Sequence, residues 1–128
     1  MKYIVESKKS VEECVRDLEK EITERKYGVL HIHNLKETMK KKGVDFAEEC
    51  RILEVCNPHK ASQVLSEDME MNLVLPCRIS VYSEKGKTKI GMIKPTSLLG
   101  LFSDSPKLSE TAKQVEDDLV TIIEHSKN

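Results

Sequence analysis

The sequence predicts an α+β domain: two layers, with a mixed or antiparallel sheet of about five strands and helices packed on one of its faces. Three observations lead there. Five short β-rich runs are spaced along the chain, amphipathic helical stretches lie between them, and two of the runs face each other across a tight turn. Elements intermixed in this way bury their apolar sides as a helix layer on a sheet. At 128 residues the chain has the length of one domain, and residues 1–128 are expected to form it.

The elements follow in order. Lys2 to Glu6 reads as a strand that ends at Ser7-Lys8-Lys9. Ser10 stands three residues before Glu13, the spacing at which hydroxyl and carboxylate each satisfy an otherwise unpaired backbone N–H. Val11, Cys14, Val15, Leu18 and Ile22 then recur at helical spacing, which predicts a helix over 11–26, with Gly28 ending it in a left-handed conformation. Val29 to Asn34 alternates as a strand with Leu30 and Ile32 on one face. Leu35 to Lys42 is a short helix stopped by Gly43. Arg51 to Cys56 is the third strand, and Asn57-Pro58 starts a helix, since Asn caps well and Pro suits the first helical position. Ala61, Val64, Leu65 and Met69 form its buried side. Pro76 opens a strand running to Tyr82, Glu84-Lys85-Gly86-Lys87 makes the turn, and Thr88 to Ile93 returns as the hairpin partner, ended by Pro95. Ser105-Pro106 repeats the cap-plus-proline signature for a last helix, whose stripe is Leu108, Ala112, Val115, Leu119 and Ile122.

Composition narrows the function classes. Twenty-one basic residues against 22 acidic ones give a net charge of −1, whereas a duplex-binding module needs a positive face to displace counterions from phosphates. Lys40-Lys41-Lys42 is the one cationic cluster, and it reads as a solvated helix end, so no nucleic-acid partner is expected. The N-terminus has no apolar run of signal-peptide length, and Leu98 to Phe102 falls far short of the ~20 residues that cross a bilayer. The expectation is a cytoplasmic protein without a membrane partner. Cys14, Cys50, Cys56 and Cys77 include no C-x-x-C pair, so a zinc ribbon or thioredoxin motif is excluded.

One region concentrates candidate chemistry. Cys56 ends a strand directly before the Asn57-Pro58 helix start, with His59 beyond it. Free amides and the helix dipole there favour negative charge, either a thiolate of lowered pKa or a bound anion. The alternative is a small buried cysteine that only packs. Cys77 opens the next strand, and if it meets Cys56 a redox pair or half a soft-metal site follows. Arg78 offers a guanidinium for a carboxylate or phosphate, or else a strand salt bridge. His31 and His33 project from one strand face at a spacing that suits metal, but with no third ligand they read as a polar edge of the sheet. Pro95 to Phe102 is either a lid hinged at Gly100 or an arm packed on the sheet edge or a partner. No phosphate loop, nucleophile elbow, metalloprotease motif or catalytic carboxylate pair occurs, so no catalytic residue and no cofactor are assigned.

Ile52 to Pro58 (I-L-E-V-C-N-P), Leu75 to Tyr82 (L-P-C-R-I-S-V-Y) and the Gly86-Lys87-Thr88 turn resemble the family catalogued as domain of unknown function 302. Lys42-Gly43-Val44, Pro95-Thr96 and the C-terminal amphipathic helix agree with the same pattern, collinear over nearly the whole chain. The resemblance implies a two-layer α+β fold, often dimeric, and no established activity. It puts Cys56, Asn57, Pro58, Pro76 and Cys77 at the family's motif positions; His31 and His33 lie outside them.

The expected function is therefore a dimeric small-molecule or anion-binding module. Its site would comprise Cys56, Asn57, His59, Cys77 and Arg78, with Leu98 to Phe102 closing over it. A sheet this small often leaves one face open, and a second copy related by a two-fold axis is the simplest cover. Two further readings stay open: thiol redox or metal handling through Cys56 and Cys77, with His59 as a modulating base, and a purely structural partner subunit.

Overall fold

The computed structural model describes residues 1–128. In chain order the elements are β1 (Lys2–Ser7), α1 (Val11–Glu24), β2 (Gly28–Asn34), α2 (Leu35–Lys41), β3 (Cys50–Cys56), α3 (Pro58–Glu67), a 3-10 turn (Met69–Leu73), β4 (Cys77–Glu84), β5 (Lys87–Ile93), α4 (Pro95–Gly100) and α5 (Pro106–Ser126). All four strand pairs are antiparallel, in the order β1-β5-β4-β3-β2. The five strands stand where the alternating runs predict them, and of the two sheet types the antiparallel one is realised.

Local chemistry explains most boundaries. Ser10 and Glu13 form the reciprocal cap of α1, and Asn57 and Ser105 cap α3 and α5 ahead of a proline. Gly43, at φ +81°, ends α2, and Lys85 and Gly86, both at positive φ, make the β4–β5 turn. α1 ends differently from the expectation. Lys26, not Gly28, takes the left-handed conformation (φ 64°), with the amides of Lys26 and Tyr27 donating to the carbonyls of Thr23 and Ile22. Gly28 is instead the first residue of β2, opposite Cys56.

α1 and α5 cover one face of the sheet. Leu18 and Ile22 of α1 and Leu119, Ile122 and Ile123 of α5 meet Leu53, Val55, Ile79, Val81 and Ile90, each at 1% exposure or less. Each such side chain stabilises the fold by roughly 1.5–3 kcal/mol through removal from water. A second, smaller core joins Val64, Met71, Leu99, Leu108 and Ala112. Two apolar assignments change. The β2–β3 register shifts between Val29 and His31, so Leu30 bulges out to 62% exposure and only Ile32 stays on the packed face. Met69 is 65% exposed, because α3 stops at Glu67 and the following 3-10 turn buries Met71 in its place. No helix is long and apolar enough to cross a membrane.

Candidate functional site

The small core leaves a cavity of about 280 Å³ where the ends of β3 and β4 meet α3, α4 and α5. Val55 and Cys77, partners across β3 and β4, form its floor together with Cys56 and Tyr27. Asn57, Lys60, Ala61, Val64 and Leu65 of the α3 region form one wall. Asn72, Leu75 and Pro76 come from the connection to β4. Pro95 and Leu99 of α4 and Thr111, Ala112 and Val115 of α5 complete the lining. Eleven of the 17 lining residues are hydrophobic. The lining is therefore mainly apolar, with Asn57, Lys60, Asn72 and Thr111 as its polar members.

The helix end beside the cavity is capped by its own residues. Asn57 Oδ1 accepts from the amides of His59 (3.0 Å) and Lys60 (3.1 Å), and the Asn57 carbonyl accepts from Ala61 (2.9 Å). Pro58 has no N–H. Every amide of the first turn is thus satisfied within the chain, and none is free to bind an anion.

The thiols follow the same logic. Burial pushes the Cys56 thiol up, and burial together with the neighbouring Cys56 pushes Cys77 up to about 11. The expected lowering of Cys56 by the helix end does not occur, because the capped amides offer it no hydrogen bonds. Tyr27 is held protonated well above the ordinary phenol range by burial and by its hydrogen bond to Asp118, to which its hydroxyl donates at 2.8 Å.

Of the residues singled out in the sequence, Cys56, Asn57 and Cys77 line the cavity; His59 and Arg78 do not. His59 is exposed on the outer side of α3. Arg78 is exposed on the opposite sheet face from Cys77, since neighbouring residues of a strand alternate. There it is paired in register with Glu54, and its charge partly offsets the burial that raises the Cys50 thiol. Within Pro95 to Phe102, residues 95–100 form α4, which turns Leu99 into the cavity while Leu101 and Phe102 stay exposed. His31 and His33 touch edge to face with ring centres 4.4 Å apart, and His33 Nε2 lies 3.0 Å from Glu54 Oε1. No three His, Cys, Asp or Glu side chains converge to hold a metal ion.

Sequence reasoning missed Tyr27, Lys60 and the α5 contribution, whereas Leu99 of α4 lies within the Leu98 to Phe102 segment expected to close over the site. Lys60 was within reach, because it precedes Val64 by four residues and so shares the α3 face already assigned to the interior. Tyr27 carried no such signal. Its placement follows from the α1 C-terminal motif, in which its amide bonds to Ile22.

An antiparallel sheet with helices on one face and an apolar cavity at the strand ends defines a small two-layer α+β protein. A family model described as "Domain of unknown function DUF302" matches residues 3–126, and the chain belongs to that family. It is similar to the solved structure of an uncharacterized conserved DUF302 protein from Bacillus stearothermophilus. The two share 38% identity at a TM-score of 0.92, over 98% of this chain and 97% of that one. No curated protein matches the sequence.

Proposed function

We propose that this chain binds a small, mainly apolar molecule in the cavity at the Cys56-Asn57-Pro58 turn. The observation that carries the reading is the lining: hydrophobic at 11 of 17 positions, with Tyr27, Cys56 and Cys77 all held protonated at neutral pH. Most of this surface offers a small hydrated anion nothing in exchange for its water, whereas a hydrocarbon body gains by leaving water. Thiol chemistry is the weaker alternative, since a thiol raised above its ordinary pKa is a poor nucleophile at pH 7. Four unpaired cysteines fit a reducing compartment such as the cytoplasm.

The test uses 1-octanol as a neutral apolar probe, followed by calorimetry and by NMR shifts of cavity residues. Ala61 lines the cavity and is half-buried, so Ala61→Phe fills the space without overpacking a sealed core. The expected result is saturable binding to the wild type, weakened about tenfold or more in the variant, with the melting temperature retained. Equal affinity in the two proteins, or no saturable binding, removes the reading.

The same proposal includes a homodimer. The sheet face away from α1 and α5 carries Ile4 and Ile93 at 47% and 45% exposure, with Ile52 buried between its neighbours. Arg78 and Lys89 stand on that face with Glu54 and Glu6, so it is both apolar and self-complementary in charge.

A further inference from the structure

The cavity has one charged lining residue, Lys60, in the first turn of α3. Ten ion pairs occur in the molecule, and Lys60 takes part in none of them. Its Nζ donates instead to the neutral side-chain oxygen of Gln114, which ties α3 to α5. The Asn57 side chain is oriented by its cap, with Oδ1 committed to the His59 and Lys60 amides, which leaves its NH₂ as a donor unused within the chain. No Asp or Glu lines the cavity, and the first turn of α3 holds no acidic residue. The cavity wall itself therefore sets no carboxylate against the Lys60 charge. Lys60 and Asn57 both belong to the α3 wall of a cavity whose lining is otherwise mainly apolar, and the Asn72 and Thr111 side chains that also line it are bonded within the chain, to the carbonyls of Met69 and Lys107.

We propose that the occupant is a medium-chain monocarboxylic acid, its carboxylate held by Lys60 Nζ and the Asn57 NH₂, its hydrocarbon body in the hollow. This deepens the binding reading above and rests on it. One lysine balances one negative charge, which suits a carboxylate and not a phosphate dianion. The size follows from volume. A cavity of ~150 Å³ takes up benzene, so the 280 Å³ here accommodates roughly ten non-hydrogen atoms. The apolar interior asks nothing more of the tail: the Tyr27 hydroxyl is already bonded to Asp118.

The experiment compares sodium octanoate with 1-octanol at pH 7 by calorimetry, on the wild type, Lys60→Met and Lys60→Arg. Lys60 is half-buried near a helix end, so both variants are expected to keep the wild-type melting temperature. The wild type should prefer octanoate about tenfold or more, the size of one charge-assisted contact. Lys60→Met should abolish that preference, lowering octanoate affinity about tenfold or more relative to that for octanol, and Lys60→Arg should restore most of it. Equal affinities in the wild type, or a preference that survives Lys60→Met, overturn the acid assignment and leave the apolar-binding reading standing. If neither compound binds, both fall together.

Discussion

Cys56 and Cys77 show how far a residue's chemistry depends on what surrounds it. The C-N-P and L-P-C segments place two thiols and a helix start close together, and by residue type alone that suggests an activated sulfur. Burial reverses the expectation, holding Cys77 protonated up to about 11. The ordinary value is about 9, so the folded chain keeps this proton more tightly than the unfolded one. The resulting stabilisation is fully present below pH 9 or so and is lost as the pH rises through the folded value. Native Cys77 should react with iodoacetamide at least about tenfold more slowly than glutathione at pH 8, with a rate still climbing at pH 9. Mass spectrometry of quenched time points measures both quantities. A rate that levels off near neutral pH would instead restore the thiol reading. Lys60 makes the complementary case: its spacing from Val64 was visible in the sequence, but its lack of a carboxylate partner was not, because pairing depends on which elements come together.

Helix ends divide into those fixed by near neighbours and those fixed from afar. Ser10, Asn57 and Ser105 cap α1, α3 and α5 within three residues of their targets, and each was readable from the chain. α4 was not. Lys94, at its N-cap, supplies no side-chain acceptor; the cap comes from Glu116 on α5, whose Oε1 accepts from the Thr96 amide (3.1 Å) and hydroxyl (2.6 Å). Pro95 therefore looks like the end of a strand, although it is also the first residue of a helix. Glu116 is 8% exposed, and removing its side chain leaves the partly buried Thr96 amide without its acceptor. Glu116→Ala should cost about 1–2 kcal/mol, seen as a drop of roughly 4–8 °C in melting temperature, while Glu116→Gln, which keeps an acceptor, should cost less. An unchanged melting temperature for Glu116→Ala would show that α4 is held by packing alone. Because α4 carries Leu99 into the cavity, the same variant should also weaken octanol binding.

For the whole molecule, the decisive asymmetry is a sheet covered on one side. Its far face carries Ile4 over Gly91, where a side chain at 91 would come within 3.0 Å of Ile4 Cγ1. If that face joins two copies, light scattering at micromolar concentration should give twice the chain's mass, and Ile4→Lys with Ile93→Lys should give a single chain of unchanged fold. A wild-type monomer at that concentration ends the dimer proposal. The strands, the helices α1, α3 and α5 with their local caps, the hairpin and the main apolar stripes were legible in the sequence, because each depends on spacing and on contacts a few residues away. Strand order, the bulge at Leu30, the remote cap of α4 and the cavity itself were decided only in three dimensions. Each of these arises where segments distant in the chain meet, and no local periodicity encodes which residues will share a wall. For the same reason two of the five proposed site residues, His59 and Arg78, face away from the cavity. Position along the chain put them near Cys56 and Cys77, and helix and strand geometry turned their side chains elsewhere.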